Sequence, residues 1–116
     1  MDLSEVFSPL LNRGIEVKKA VRVRGLSGVY HEFDAVVGGR IGVLMVDEKI
    51  SPEDSLRIVL KKMDTELKVV VLSRNPLSES QKYILEEMGV QVVEGGDPER
   101  VAEAIMLILQ QSDQGR

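Results

Sequence analysis

Six consecutive apolar residues, IGVLMV at positions 41–46, restrict the architecture of this chain more than any other segment. The run is far too short to span a membrane, which takes about 20 residues. It follows a glycine-rich bend and a second strand-like segment at 29–37, so the two segments predict a hairpin. Because no residue of the run offers a polar side, we expect a strand that is covered on both faces. A strand of this kind belongs in an α/β domain with helices on both faces of the sheet.

The chain before the hairpin predicts one helix and one strand. A capping residue at Asp2, an apolar stripe and a stop at Gly14 predict the first helix. Apolar and basic residues alternate over 15–24, which indicates a strand with one solvated side. A turn at 25–28 then leads into the hairpin.

Helices and short strands alternate after the hairpin. Three capping signals predict helix starts, at Ser51, Ser78 and Asp97. β-branched runs at 68–72 and 90–93 predict strands between them. A helix between the second hairpin strand and the next strand implies a right-handed crossover and parallel pairing. We expect the second helix to bury Leu56, Val59, Leu60 and Met63, and the third to present Ile84, Leu85 and Met88 as its apolar side.

The predicted order is therefore α-β-β-β-α-β-α-β-α, an α/β fold with a mixed sheet flanked by helices. We expect one domain over 1–111 and a frayed tail over 112–116. The chain has no cysteine, which excludes disulfides and thiolate metal sites. An acidic start unlike a signal peptide and the absence of a long apolar run predict a cytoplasmic protein with no membrane partner.

Charged residues lie at the outer ends of the hairpin, and its register decides whether they meet. With a two-residue turn at Gly38 and Gly39, Asp34 would face Val43 and lie about 13 Å from Asp47. With a loop over 39–42, Asp34 would lie directly opposite Asp47, with Cβ atoms about 5 Å apart.

The second register would create a cation site. Two carboxylates at that separation suit Mg²⁺ or Mn²⁺, since both ions prefer oxygen ligands. Lys49 would point to the same face as Asp47, where an amine can stabilise developing charge on a phosphate. Asp34, Asp47 and Lys49 are therefore a candidate trio for phosphodiester hydrolysis.

This pattern resembles the PD-(D/E)xK, or restriction-endonuclease-like, superfamily over roughly residues 3–72. The resemblance rests on Asp34, a hydrophobic hairpin and Asp47-x-Lys49, in the order helix, three strands, helix, strand. It implies that Asp34 and Asp47 bind the metal and that Lys49 assists attack on a DNA or RNA backbone. It also implies a peripheral role for Glu5, the one suitable acid of the first helix.

The sequence departs from the family pattern at three positions. Phe33 replaces the usual Pro, Asp47 stands where Glu is more common, and Glu48 puts a charge in a normally apolar slot. If Glu48 rather than Asp47 points into the site, the spacing to the lysine is lost.

A net charge of −4 disfavours a large non-specific nucleic-acid binder but allows a local basic face. Five residues on or near the strands of the site are candidate nucleic-acid contacts: Lys18, Arg22, Arg24, His31 and Arg40. His31 is also interpreted as a hydrogen-bonding residue rather than a metal ligand. The wide apolar face of the last helix, from Val101 to Leu109, suggests a homodimer.

The leading hypothesis is a small Mg²⁺- or Mn²⁺-dependent nuclease acting on nucleic acid, with DNA as the expected substrate. Two alternatives stay open. The chain could keep the nuclease fold as an inactive binding or scaffolding module. It could instead be a doubly wound nucleotide-binding regulator, although no glycine fingerprint follows a first strand.

Overall fold

The computed structural model of the chain describes residues 3–46 and 49–114. The secondary structure elements, in chain order, are α1 (Leu3–Asn12), β1 (Val17–Arg24), β2 (Tyr30–Val37), β3 (Ile41–Val46), α2 (Pro52–Asp64), β4 (Lys68–Ser73), α3 (Glu79–Glu87), β5 (Gln91–Glu94) and α4 (Pro98–Gln114). The predicted order of helices and strands is confirmed. None of the helices in the described ranges combines the length and apolarity needed to cross a membrane.

The five strands form one mixed sheet in the order β1-β2-β3-β4-β5. β2 runs antiparallel to β1 and β3, whereas β4 and β5 each run parallel to the strand before them. Parallel neighbours need a crossover connection, which α2 and α3 supply. The predicted parallel pairing of β3 with β4 is confirmed.

The sheet separates two hydrophobic cores. The α1/α4 core contains Phe7 and Ile105 from the helices, together with Val43 from β3. The α2/α3 core contains Leu85 from α3, together with Leu44 from β3. Neighbouring residues of β3 therefore enter opposite cores, as its unbroken apolar sequence predicted.

Neither predicted hairpin register is found. Val37 pairs with Ile41, so the loop between β2 and β3 consists of Gly38, Gly39 and Arg40. Both glycines have positive φ, +60° and +70°, a conformation that glycine adopts without steric cost. By the same register, Asp34 falls beside Leu44, three positions before Asp47. The expectation that Asp34 lies opposite Asp47 was therefore wrong.

The hairpin formed by β1 and β2, the outer hairpin, exchanges its two faces at one point along its length. The β1–β2 ladder pairs Lys19 with Ala35 and Val21 with Phe33, and omits Ala20 and Asp34 between them. Ala20 has φ of +51°, an unusual value for a residue with a Cβ. On either side of this break the strand enters different cores, since Ala35 lies in the α1/α4 core and Phe33 in the α2/α3 core. Asp34 is exposed at the crossing.

The buried face of α2 differs from the predicted one. Ser55, Ile58 and Val59 are buried, whereas Leu56, Leu60 and Met63 are 59%, 49% and 62% exposed. Ile58 and Val59 belong to the same core as Val69 and Val71 of β4, so this side of α2 faces the sheet. The side that carries Leu56, Leu60 and Met63 faces outward. The prediction was right only for Val59.

Helices α3 and α4 bury different parts of their predicted apolar faces. Of the three apolar residues predicted for α3, only Leu85 is buried, while Ile84 and Met88 are 50% and 44% exposed. The apolar face of α4 exists as predicted, but Val101 and Ile105 are buried in the α1/α4 core. That face is thus occupied within the chain, and the reason given for a homodimer does not hold.

Candidate functional site

The strands β2 and β3 separate at Asp34. Their last paired residues are Ala35 and Val43. Just beyond, the Oδ2 atom of Asp34 accepts a hydrogen bond of 2.7 Å from the backbone amide of Met45. A carboxylate thus replaces the backbone carbonyl that a longer β2–β3 ladder would have supplied. Since a carboxylate has about four acceptor positions, this bond leaves capacity for a cation.

A groove of ≈ 540 Å³, the Asp34 groove, opens at this separation. Phe33 and Leu44 supply its apolar lining. Its charged lining residues are Arg22, Glu32, Asp34 and Lys61. The groove therefore combines the first predicted metal ligand with two cations.

A second groove of ≈ 310 Å³, the Lys49 groove, adjoins the first. It contains Lys49 and Arg57, with Asp54 as an acidic neighbour. Leu44 and Lys61 line both grooves, so the two form one continuous depression. The structure thus brings Asp34 and Lys49 to opposite ends of a shared surface.

Asp47 and Glu48 lie outside the described residues. Within residues 3–46 and 49–114, no group of three or more His, Asp or Glu side chains is arranged to hold a metal ion. Asp34 is the described member of the predicted ligand pair, and its exposed carboxylate suits Mg²⁺ or Mn²⁺. The described residues therefore supply one carboxylate of the predicted pair and not a complete ligand set.

Lys61 is a charged residue of the site that the sequence interpretation missed. Its Nζ atom donates a 2.8 Å hydrogen bond to the backbone oxygen of Glu32 and lies 5.5 Å from the centroid of the Phe33 ring. Desolvation lowers the pKa of Lys61, although the charges of Glu32 and Asp34 act in the opposite direction. The sequence interpretation missed Lys61 because it assigned the wrong buried side to α2. Lys61 follows Ile58 by three positions, so a buried side centred on Ile58 would have placed it at the edge of that side.

The remaining predicted residues are distributed over several surfaces. Arg22 lines the Asp34 groove, with its guanidinium 5.0 Å from the Tyr30 ring centroid. Arg24 and Arg40 line a separate depression of ≈ 400 Å³. Lys18 is exposed on β1 and lines neither groove.

Glu5 is exposed on α1, the helix that packs with α4 on the opposite face of the sheet from α2. It lines neither the Asp34 groove nor the Lys49 groove. The fold therefore does not bring the acid of the first helix to the groove that contains Asp34.

His31 belongs to a third location, centred on Asp64 at the end of α2. The His31 Nε2 atom lies 2.7 Å from Asp64 Oδ2, and the Ser27 hydroxyl donates to the same oxygen at 2.6 Å. The Ser27 amide donates to Oδ1 at 2.8 Å. The predicted hydrogen-bonding role of His31 is confirmed. These contacts hold the β1–β2 turn against the end of α2.

Asp64 was missed by the sequence interpretation, although a signal was present. An acidic residue in the last turn of a helix interacts unfavourably with the helix dipole. Asp64 follows Lys61 and Lys62 at the end of α2, where a third basic or neutral residue would be more stable. Such a residue suggests a tertiary partner, here Ser27 and His31.

Asp64→Asn is expected to weaken the pH dependence of stability in acid. The hydrogen bonds from the Ser27 hydroxyl and from His31 lower the pKa of Asp64 from 3.8 to about 2. Since the folded pKa is lower than the unfolded one, the ionised carboxylate stabilises the fold above about pH 4. This contribution is lost as the pH falls from about 4 toward about 2.

The urea midpoints of wild type and Asp64→Asn, measured over a pH series, test this expectation. The difference between the two urea midpoints should be largest near neutrality and should approach zero in strong acid. Glu66→Gln, an exposed change two positions along the chain, is the matched control and should show a small, constant gap. An Asp64→Asn gap that stays constant down to about pH 2 would contradict the assigned role.

Comparisons with known proteins give a likeness in fold only. No family model matches the sequence, and no curated protein matches it at a significant level. Among solved structures, the crystal structure of AF1548, a protein of unknown function, is similar with a TM-score of 0.62 and 20% sequence identity. The match covers 77% of this chain and 54% of that one, so this chain spans about half the length of AF1548.

Proposed function

We propose that this chain is a small nuclease-like domain that hydrolyses nucleic-acid phosphodiesters with Mg²⁺ or Mn²⁺. One observation carries the proposal: β2 and β3 separate at Asp34, and a groove lined by the cations Arg22 and Lys61 as well as by Asp34 and Glu32 begins there. The carboxylate at this point is exposed, and the groove continues to Lys49. The Asp34 carboxylate, the opening between β2 and β3 and the Lys49 amine therefore lie on one surface.

The topology supports this proposal. A helix, an antiparallel three-stranded meander, a crossover helix and a parallel fourth strand follow one another in the described residues. This order is the one implied by the resemblance to the restriction-endonuclease-like superfamily. We infer that the chain has this fold over roughly residues 3–72, with α3, β5 and α4 as an extension.

Each residue has a distinct role in the proposed site. A divalent ion would polarise the phosphate and lower the pKa of a bound water. Asp34 would hold the ion at the point where the β2–β3 ladder ends. Asp47 lies three positions beyond Leu44, the residue beside Asp34, so it would reach the same ion only if the chain after β3 turns back toward Asp34. Lys49 stabilises negative charge that develops on the phosphate. Arg22 contacts the nucleic-acid backbone next to the site.

The proposal predicts that the full chain nicks supercoiled DNA only when a divalent ion is present. Nicking should appear with Mn²⁺ or Mg²⁺ and stop when EDTA removes the ion, because in the proposed site the bound ion would activate the attacking water. Gel electrophoresis of plasmid DNA measures it. Nicking that persists in EDTA, or none with either ion on DNA or RNA, would contradict the proposed activity.

A non-catalytic module with the same fold is the second candidate, and one contact favours it. The bond from Met45 to Asp34 gives this carboxylate a structural role that needs no metal. In that case the grooves bind nucleic acid or another anion without cleaving it. The homodimer also remains a prediction, although the face of α4 on which it rested is packed in the α1/α4 core.

A further inference from the structure

Lys61 occupies the junction of the two grooves. It is the charged residue that lines both the Asp34 groove and the Lys49 groove among the described residues. Its neighbours hold the amine in place from two sides. The Glu32 carbonyl accepts one of its hydrogen bonds, and the Phe33 ring lies beneath it. An ammonium group has three donors, so one bond to a carbonyl leaves donors for a ligand.

The cations around Lys61 follow the course of the joined grooves. Arg22 lies in the Asp34 groove, and Lys49 and Arg57 lie in the Lys49 groove. With Lys61 they make four cations in a depression that also contains three acids, Glu32, Asp34 and Asp54. Asp54 lies 3.6 Å from the Arg57 guanidinium, so Arg22, Lys49 and Lys61 are the cations without a salt bridge among these lining residues. An anion with charges repeated along its length matches this arrangement better than a single small anion does. A phosphodiester backbone is such a ligand.

We infer that Lys61 binds a phosphate oxygen of a nucleic-acid backbone that runs along the joined grooves. The inference rests on the proposed function for the class of ligand, but it requires neither a metal ion nor cleavage. The Phe33 ring and the Glu32 carbonyl are positioning groups, because they fix the amine before the ligand arrives. Binding then costs less side-chain entropy than it would for an unrestrained lysine.

The test measures binding of the full chain to a short fluorescein-labelled DNA duplex in EDTA by fluorescence anisotropy. Lys61→Met should weaken binding about tenfold, as expected for loss of a hydrogen bond to a charged group. It should also reduce the slope of log K against log salt by about one, because one phosphate contact is lost. Lys61→Arg should retain most of the affinity.

Lys62→Met is the matched control. Lys62 is the adjacent residue of α2 and carries the same charge, but its amine reaches Gly89 beyond α3 and lines neither groove. Its replacement should leave both the affinity and the salt slope unchanged. In Lys61→Met, the methionine keeps a long apolar side chain over the Phe33 ring. Thermal unfolding of both methionine variants verifies that they fold.

Three results would overturn the inference: wild-type binding by Lys61→Met, equal weakening by both methionine variants, or no salt-dependent binding by the wild-type chain. The inference and the proposed function can fail separately. Binding that depends on Lys61 without any cleavage in Mn²⁺ would support the inference and refute the nuclease. Cleavage in Mn²⁺ with unaltered binding by Lys61→Met would refute the inference alone.

Discussion

Asp34→Asn is expected to reduce metal-dependent cleavage by at least about 100-fold while the fold keeps nearly its wild-type stability. Asparagine retains a side-chain oxygen that can accept the hydrogen bond from the Met45 amide. It lacks the negative charge that a divalent ion requires from its ligand. The variant therefore separates the metal-binding role of this carboxylate from its structural role. Initial rates of plasmid nicking and urea denaturation measure the two effects.

Two further variants make the test of Asp34 decisive. Asp34→Leu removes the acceptor as well as the charge, so it should lose activity and also about 1 kcal/mol or more of stability. Glu32→Gln removes a carboxylate from the same strand and the same groove, and it should retain activity. Full activity in Asp34→Asn, or a loss of equal size in Glu32→Gln, would contradict metal binding by Asp34.

Gly42→Ala is expected to destabilise the fold by about 1–3 kcal/mol. A Cβ at this position would lie 2.5 Å from Cε1 and 2.7 Å from Cδ1 of the Phe33 ring. The ring is 2% exposed and packed in the α2/α3 core, so it cannot move without disturbing its neighbours. Since the ring also supports Lys61, we expect weaker DNA binding. Urea denaturation and anisotropy measure these effects.

Two control variants test whether the Phe33 ring causes the effect of Gly42→Ala. At Gly96, an added Cβ would meet only Cγ of Arg74, at 3.9 Å, so Gly96→Ala should be nearly neutral. Combining Gly42→Ala with Phe33→Leu should recover part of the lost stability, because the smaller side chain makes room for the methyl group. Wild-type stability in Gly42→Ala alone would show that the Phe33 ring does not occupy this space.

The order of elements could be predicted because each signal for it is local. Ser51 shows this, since its side chain accepts a hydrogen bond from the amide of Asp54 and completes a capping box with it. The side that α2 buries could not be predicted in the same way. Leu56, Leu60 and Met63 make the stronger apolar stripe, yet Ile58 and Val59 face the sheet. The way α2 packs against the sheet determines which side is buried, and helical periodicity alone does not predict that side.

The geometry around Asp34 was beyond prediction for a related reason. The hairpin sequence allowed several loop lengths, and a change of one residue alters every facing pair. The crossing of β1 and β2 depends on Ala20 at positive φ, a conformation for which alanine gives no sequence signal. Asp34 and Lys49 could still be identified as candidates, because charges at strand ends are informative without the register.

The partners of Lys61 and Asp64 are distant in sequence, which explains why both residues were missed. Lys61 contacts Glu32 across 29 positions, and Asp64 contacts Ser27 across 37. Each pair meets only because α2 packs over the outer hairpin. Pairs of this kind become visible once the fold is known. Lys61 adds a residue to the joined grooves, whereas Asp64 lies at a separate location at the end of α2.

Anomalous diffraction from a crystal of the full chain grown with Mn²⁺ would locate the proposed metal ion. We expect a manganese peak within coordination distance, about 2.0–2.6 Å, of a carboxylate oxygen of Asp34, with a second ligand from the segment that follows β3. The same crystal form of Asp34→Asn should lack the peak. A manganese ion bound elsewhere, or none in the groove at saturating Mn²⁺, would contradict the proposed metal site.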